Sequence, residues 1–379
     1  MVSTIASASS TSIDDIADKV YAGERLSFDD GIRLFNHPNL PELATLANFV
    51  KEKLHPTTND LVTYVVGRNI NYTNVCWVRC KFCAFYRVPG HEDGYVLSRE
   101  QIFDKIQQMV DLGGIEILMQ GGLNPRLKIE WYEDLLRSIK AKFGAYGIIL
   151  HAFSPAELIY IASISKLSQA EMFARLKAAG LDSVPGGGAE ILTDRVRNEI
   201  APLKDTADEW LNCMREAHMA GLKSTVTMMY GSVDTIEDRV EHLIRSRELQ
   251  DQTGGFTAFI PWSFQPDGTE LQGERASAFD YLRTVAVSRL MLDNIPHMQA
   301  SWVTQGPKVA QVALRYGLND FGSTMMEENV VSSAGCAFTM PIEEMERLIV
   351  EAGYKPMRRT TQYELLPNGV PAGSPLFSS

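Results

Sequence analysis

The first part of the chain carries apolar side chains at helical spacing. They recur every three or four residues, as on a helix buried along one face, in two runs separated by Pro and Gly: Ile13, Ile16, Val20, Tyr21 and Leu43, Leu46, Phe49, Val50. The pattern predicts a helical cap over residues 13–60. The preceding segment 1–12 is rich in Ser and Thr and lacks a basic stretch followed by an apolar one, so a disordered tail is expected there rather than a secretory signal.

After residue 60 the pattern alternates between short β-rich runs and longer amphipathic stretches. The predicted strands are 61–70, 114–119, 146–151, 181–184, 223–228, 255–260, 298–302 and 316–320. The predicted helices between and after them are 98–112, 128–143, 168–179, 206–220, 236–252, 276–292 and 342–352. Strict alternation favours a parallel sheet with right-handed crossovers. The sequence therefore predicts an α/β fold: a (β/α) barrel, full or partial, over 61–320, closed by a C-terminal extension over 321–379.

Composition and charge narrow the classes of protein that this chain can be. Lys and Arg number 36 against 47 Asp and Glu, a formal net charge of −11, which disfavours nucleic acid and anionic membranes as partners. No run of 18 apolar residues is present, so no membrane span is expected. Cysteines are few and odd in number, five in all, which argues against a disulfide framework and predicts a reducing, cytoplasmic location.

Three of the five cysteines lie within eight residues, directly after the first predicted strand. Cys76, Cys80 and Cys83 have the spacing C-x3-C-x2-C. Thiolates are soft ligands suited to zinc or to iron–sulfur clusters. A structural zinc site needs a fourth protein ligand, and the nearest histidine, His91, stands at no usual spacing. Three thiolates on a four-iron cluster would leave one iron open, as a catalytic site requires.

This motif, with the aromatic Phe82 before the last cysteine, resembles the radical S-adenosylmethionine superfamily. The resemblance implies a [4Fe–4S] cluster whose open iron binds S-adenosylmethionine and, once reduced, releases a 5′-deoxyadenosyl radical. It also implies cofactor contacts at three later places: Gln120, Gly121 and Gly122; the glycines 186–188 with Glu190 on the ribose; and the stretch 225–231, including Tyr230, beside the adenine. Where many members have Gly-Gly-Glu, this chain has Leu123 in the third position.

From about residue 15 to 364 the chain resembles the group of menaquinone-precursor and deazaflavin-cofactor synthases, through the segments 69–75, 185–190 and 321–330. Segments 83–87, 151–158 and 256–266 are most similar to the cyclic dehypoxanthinyl futalosine synthase family. That resemblance implies a small-molecule substrate, dehypoxanthine futalosine, cyclised after hydrogen abstraction from C4′ and attack on its benzoate ring, with a flavodoxin or ferredoxin as electron donor. Aminofutalosine synthase, a deazaflavin-cofactor synthase subunit and a zinc-stabilised binding protein remain alternatives.

The benzoate carboxylate and ribose hydroxyls of such a substrate need polar partners. We predict these among polar side chains after the third and last strands and near the cysteine loop: Arg68, Arg87, Ser154, Thr324 and Glu328. The final loss of a proton requires a base, for which His151 is the candidate because imidazole titrates near neutrality.

Overall fold

The computed structural model describes residues 12–336, 338 and 340–366. Three helices come first: α1 (Asp14–Ala22), α2 (Phe28–Asn36) and α3 (Leu40–Leu54). α2 and α3 pack against two later helices, Ile236–Thr253 and Ala278–Met291, and α1 packs against α3. The apolar side chains that the spacing singled out, such as Ile16, Val20 and Leu43, are buried. The helical cap is therefore present as secondary structure, while the division into domains stays a prediction. The predicted tail lies outside the described residues except for Ser12.

Ten strands occur in the described part of the chain: β1 (Leu61–Val65), β2 (Gly67–Ile70), β3 (Glu116–Met119), β4 (Ile149–Ala152), β5 (Ser183–Val184), β6 (Lys223–Tyr230), β7 (Phe256–Ser263), β8 (His297–Met298), β9 (Asp320–Ser323) and β10 (Lys355–Arg358). The helices after α3 are α4 (Arg99–Asp111), α5 (Ile129–Phe143), α6 (Pro155–Ser165), α7 (Gln169–Ala179), α8 (Asp194–Ile200), α9 (Ala207–Met219), α10 (Ile236–Thr253), α11 (Ala278–Met291), α12 (Trp302–Gln305), α13 (Pro307–Ala313) and α14 (Ile342–Glu351).

The strands β2 to β8 form one parallel sheet in sequence order, and all its neighbouring pairs are parallel. Sequential parallel strands with intervening helices curl into a barrel wall. A second sheet, in the order β10-β1-β9, stands beside its open edge. Asp320 of β9 bridges to Gln299 after β8, and Thr324 bonds to Gly67 of β2. The prediction of an α/β fold with a partial barrel is confirmed.

The first predicted strand, 61–70, is wrong as a single element. It divides at Val66 into β1 and β2, which belong to different sheets. Its apolar run continues without interruption because both halves are buried. Burial alone carries no information about which neighbour each half pairs with, so the break was not visible in the pattern.

Several helices begin with a capping box, in which a Ser or Thr bonds to the backbone three residues on while the carboxylate or amide there bonds back. These caps are Ser27, Ser98, Ser154, Ser168, Thr206 and Thr235. They explain why most predicted helix starts lie within a residue or two of the observed ones. Within the described residues, no helix is both long and apolar enough to cross a bilayer.

Candidate active site

The cysteine loop follows β2 and is closed by its own backbone. Cys76 N–H donates to the carbonyl of Arg87 at 2.9 Å, and Arg87 N–H donates to the carbonyl of Asn74 at 2.8 Å. The guanidinium of Arg87 donates from Nη1 to the carbonyls of Ala84, Phe85 and Tyr86. Arg87 therefore shapes the loop, and the structure does not bring it to the cavity where we predicted a substrate contact.

The three thiols of Cys76, Cys80 and Cys83 are free and act on one another electrostatically. Burial raises the pKa of each thiol, and a thiolate on one raises the pKa of its neighbours. Backbone N–H groups directed at the sulfurs of Cys76 and Cys83 lower their pKa, and the charge of Lys204 lowers that of Cys80. Donors and a cation around converging thiols suit an anionic iron–sulfur cluster.

The described His, Cys, Asp and Glu side chains form no group of three around a single-ion position. The three cysteines therefore fit a cluster of several irons, because thiolates can bind such a cluster at different corners. Within the described residues the zinc alternative has no such ligand set.

The loop after β3 packs directly on the cysteine loop. A Cβ at Gly122 would come within 2.4 Å of the carbonyl oxygen of Val75 and 2.9 Å of the Cβ of Cys76. A Cβ at Gly121 would stand 2.7 Å from the ring of Tyr72. Glycine is therefore required at both positions by close approach rather than by turn conformation.

A buried carboxylate, Glu157 in the first turn of α6, holds this glycine loop in place. It accepts from the Tyr72 hydroxyl at 2.6 Å, from Gly121 N–H at 2.9 Å, and from both N–H and Oγ of Ser154 at 2.8 and 2.7 Å. Burial raises the pKa of Glu157 even though these donors oppose it. Ser154 is thus the N-cap of α6 and belongs to this network, and its role as a substrate contact stays a prediction.

Glu190 stands in a left-handed backbone conformation, at φ 44°, after the glycines 186–188. Its Oε1 accepts from Lys204 Nζ at 2.7 Å, and both side chains are buried. Its Oε2 is buried and has no hydrogen-bond partner, so it can accept from a bound molecule. Lys204 Nζ also lies 5.6 Å from the ring centroid of Phe82. The structure therefore brings Phe82 and Glu190 together beside Cys80, and their cofactor contacts stay predictions.

A cavity of about 260 Å³ occupies the inside of the barrel. Its wall is largely apolar, with Leu118, Ile260, Trp262 and Trp302 among the lining residues. At the carboxyl ends of the strands it is bounded by Gln120 and the glycines 186 and 187, near the cysteine loop. At the opposite end Glu116, Gln299, Arg359 and Thr361 form its floor.

His151 lines this cavity, as expected for a residue acting on substrate. Its Nδ1 is 2.7 Å from Ser183 Oγ. Burial, with a smaller contribution from Arg359, lowers the pKa of His151 to about 3. The premise that this imidazole titrates near neutrality is wrong, because burial disfavours the charged form of the ring. Its role as a base stays a prediction for the neutral ring.

Glu328 also lines the cavity. Its carboxylate accepts from the N–H groups of Val330, Val331 and Ser332 at 2.8 to 3.0 Å. Burial raises its pKa in spite of these donors. The predicted substrate contact of Glu328 therefore has the required position, although its oxygens already have backbone partners.

Three further residues that we predicted to contact substrate or cofactor have side chains directed away from the cavity. Arg68 donates to Glu327 at 2.7 Å and to Gln108, on the outer side of the sheet toward α4. Thr324 Oγ1 accepts from Gly67 N–H and donates to its carbonyl, tying β9 to β2. Tyr230 faces the outer helices, with Arg239 over its ring at 4.6 Å, because inward and outward side chains alternate along β6. None of the three lines the cavity.

Sequence reasoning missed residues whose partners lie far away in the chain. Glu157 pairs with Tyr72, Lys204 with Glu190, and Arg359 with Asp320, as a buried polar or ionic group each time. A charged residue in a helical or coil segment is ordinarily a solvated one, so single-sequence patterns gave no signal for them. Only the capping-box spacing of Ser154 and Glu157 was visible beforehand.

Comparison with known proteins supplies the biochemical context of this site. Residues 70–244 match the radical SAM superfamily, and residues 253–371 match the CofH/MqnC C-terminal region. The chain is 49% identical over 356 residues to a cyclic dehypoxanthine futalosine synthase of Halalkalibacterium halodurans, covering 94% of this chain and 95% of that protein. It is 39% identical over 355 residues to an aminodeoxyfutalosine synthase of Thermus thermophilus, covering 92% and 94%.

Solved structures support the fold at much lower sequence identity. The chain superposes on the FeFe-hydrogenase maturase HydG from Carboxydothermus hydrogenoformans with a TM-score of 0.73 at 18% identity. The match covers 93% of this chain and 80% of that one. At this identity the likeness concerns the fold alone.

Proposed function

Because the chain belongs to the radical SAM superfamily, and within it to the family that includes the futalosine synthases, we propose that it is a cyclic dehypoxanthine futalosine synthase of menaquinone biosynthesis. The observation that carries the proposal is the loop of three free, buried or half-buried cysteines, Cys76, Cys80 and Cys83, near a largely apolar cavity. The 49% identity to a synthase of that name over nearly the whole of both chains supports the choice of substrate.

Cys76, Cys80 and Cys83 would hold the [4Fe–4S] cluster that the superfamily uses together with S-adenosylmethionine. When bound, these two groups supply a 5′-deoxyadenosyl radical for hydrogen abstraction. Gly122 allows the loop after β3 to approach the cysteines, and Glu157 fixes that loop. Glu190 has an unpartnered oxygen beside the cysteine loop, and we propose that it accepts a hydrogen bond from the ribose of the cofactor.

The cavity explains how this chain would protect a reactive intermediate. A carbon radical attacks nearly any neighbouring C–H bond, so water and stray donors must be excluded while one bond is held close. Leu118, Ile260, Trp262 and Trp302 provide the apolar wall, and His151 lines the same cavity as the base we propose for the proton that is lost when the ring radical gives up one electron. The oxidised [4Fe–4S] cluster, having given one electron to S-adenosylmethionine, would take that electron back. We propose that a small flavodoxin or ferredoxin supplies the electron, and that the enzyme works in the reducing cytoplasm, where its free thiols persist.

The test is anaerobic reconstitution with iron and sulfide, followed by incubation with S-adenosylmethionine, a reductant and dehypoxanthine futalosine. We expect a brown protein that forms 5′-deoxyadenosine and a cyclised product with two fewer hydrogens than the substrate. Cys80→Ala should lose the visible absorbance and both products. Formation of 5′-deoxyadenosine without the cyclised product would reject the substrate assignment, and a colourless protein holding stoichiometric zinc would reject the enzyme class.

The sister activity is tested in the same assay. Aminofutalosine synthase adds its radical to an enol ether, so that substrate is offered in parallel under identical conditions. We expect turnover of dehypoxanthine futalosine only. Preferential turnover of the enol ether would assign the chain to the sister enzyme, to which it is 39% identical.

A further inference from the structure

Among the described residues that line the cavity, one side chain is cationic, and it lies at the floor. Arg359, one residue beyond β10, is the only Lys or Arg in that lining, where Glu116 and Glu328 are the acidic groups. Arg359 is 1% exposed to solvent, so its charge acts at low dielectric and needs partners within the protein or on a ligand.

The guanidinium of Arg359 is oriented by groups around it. Nε and Nη2 donate to the two carboxylate oxygens of Asp320 at 2.5 and 2.9 Å, and Nη1 donates to the carbonyl of Thr360 at 3.0 Å. The ring of Tyr363 lies 4.0 Å from its Cζ. Since a guanidinium has five N–H groups, the bonds in the described structure use three and leave two.

We propose that these two N–H groups bind the carboxylate of the substrate, which makes Arg359 a positioning residue at the floor of the cavity. The inference rests on the proposed function, because the benzoate group supplies the carboxylate. Asp320 keeps the guanidinium plane fixed, and the remaining N–H groups, one on Nη1 and one on Nη2, can donate to the oxygens of a carboxylate. Arg68 and Arg87, which the sequence suggested for this task, are occupied outside the cavity.

The neighbouring acid does not prevent an anion from binding here. Glu116 Oε2 accepts from Thr361 Oγ1 at 2.8 Å, and burial raises the pKa of Glu116. The direction of this shift favours the protonated carboxyl, which repels a second carboxylate less than the ionised form does.

The position of the floor along the barrel supports an orientation of the substrate in which its carboxylate lies at Arg359. Glu116 begins β3 and Gln120 follows its last residue, so the floor and the cluster side of the cavity are about 13 Å apart along the strand. A carboxylate held at Arg359 directs the sugar at the other end of the molecule toward the cysteine loop.

The experiment compares two substrates in two variants of the reconstituted holoenzyme. Dehypoxanthine futalosine and its carboxamide analogue, in which the benzoate is neutral, are assayed with the wild type and Arg359→Gln. We expect the wild type to prefer the carboxylate by about 10- to 100-fold in kcat/KM, and the variant to lose that preference. Substrate-independent cleavage of S-adenosylmethionine should stay unchanged and reports an intact cluster.

Two further variants separate binding from folding. Arg359→Gln leaves Asp320 buried without its partner, so the double variant Asp320→Asn/Arg359→Gln, which removes both charges, is assayed alongside it. The matched control is Arg239→Gln, since Arg239 is a buried arginine paired with Asp234 and Asp280 outside the cavity. We expect the control to keep the wild-type preference for the carboxylate. A folded Arg359 variant, single or double, that also keeps the preference would overturn the proposal.

Direct binding distinguishes failure of this inference from failure of the proposed function. Benzoate is titrated calorimetrically into the wild-type holoenzyme and the double variant. Binding by the wild type that the variant loses supports the carboxylate site even if dehypoxanthine futalosine is not turned over. Equal binding by both proteins, or none by the wild type, rejects the site whatever the substrate proves to be.

Discussion

At the scale of single residues, the site depends on two glycines that let neighbouring parts of the chain pack closely. Gly121 and Gly122 were singled out by the resemblance to the radical S-adenosylmethionine superfamily, which implies cofactor contacts there. The structure gives another reason, because each faces atoms that leave no space for a Cβ. The sequence could locate these glycines but not explain them, since the neighbours Tyr72 and Cys76 reach them only in the folded chain.

Gly122→Ala is predicted to disturb the cysteine loop. The new Cβ would meet the backbone of Val75 at 2.4 Å, and backbone cannot move aside as a flexible side chain can. We expect a loss of about 1–3 kcal/mol in the free energy of unfolding and a lower iron content after reconstitution. The control is Gly144→Ala, at a helix end with φ −58° and no atom within 4 Å of the new Cβ. Equal iron content in the two variants would show that close packing at Gly122 is not needed.

Tyr72→Phe is predicted to weaken the support of the glycine loop without touching the cavity. The change removes the hydroxyl that donates to Glu157 at 2.6 Å and leaves a buried carboxylate with one donor fewer. We expect a loss of about 1–3 kcal/mol in the free energy of unfolding, measured by denaturant titration, and weaker binding of S-adenosylmethionine. An unchanged midpoint would mean that the remaining donors suffice to hold Glu157.

At the scale of elements, local signals located the starts of the helices that were predicted, but they missed α6, α8, α12 and α13 and were insufficient for the strands. The predicted helix 168–179 is α7 (Gln169–Ala179) because Ser168 and Glu171 form a capping box that the sequence displays. The strand 298–302 is mostly not a strand: β8 ends at Met298 and α12 begins at Trp302. Two-residue strands such as β5 and β8 are defined by what they pair with, which no local pattern contains.

Ser154→Ala tests whether this serine caps a helix or binds substrate. Loss of its cap to α6 should cost about 0.5–2 kcal/mol in the free energy of unfolding and leave KM for the substrate unchanged. Ser168→Ala removes the same motif from α7, where it is exposed, and should show a similar or smaller loss. A raised KM at unchanged stability in Ser154→Ala would support the original prediction of a substrate contact.

At the scale of the whole molecule, the sequence predicted the architecture and located the cysteine loop but not the floor of the cavity. Alternation of strands and helices is a regular signal, and three cysteines in eight residues form a local motif. Arg359 and Thr361 lie some 240 residues after Glu116 in the chain. They meet Glu116 only because β10 pairs with β1. Their chemistry depends on tertiary pairing that periodicity does not encode.

Buried histidines set a pH dependence for the whole fold. Burial lowers the pKa of five of them. One is His55, and in the other four the pKa falls to about 3 for His151 and His242, to about 4 for His218 and to about 2 for His297. An unfolded histidine titrates near pH 6.5, so below that pH the unfolded chain binds more protons than the folded one. Each imidazole therefore removes stability as the pH falls from about 6.5 toward its folded value.

We expect the ring C–H resonances of these four histidines to stay constant between pH 8 and pH 5 in NMR spectra of the folded protein. A midpoint near 6.5 for any of the four would contradict the burial that the structure gives it.

The pairing of β1 with β10 also has a consequence for biosynthesis on the ribosome. Leu61 lies opposite Lys355, so nearly three hundred residues separate two adjacent strands. During translation the cysteine loop emerges early, whereas the arginine that completes the cavity emerges only after almost every other described element. A nascent chain can thus expose its thiols long before the compartment that shields their chemistry is sealed, and loading with iron and sulfide is best delayed until that late segment has docked.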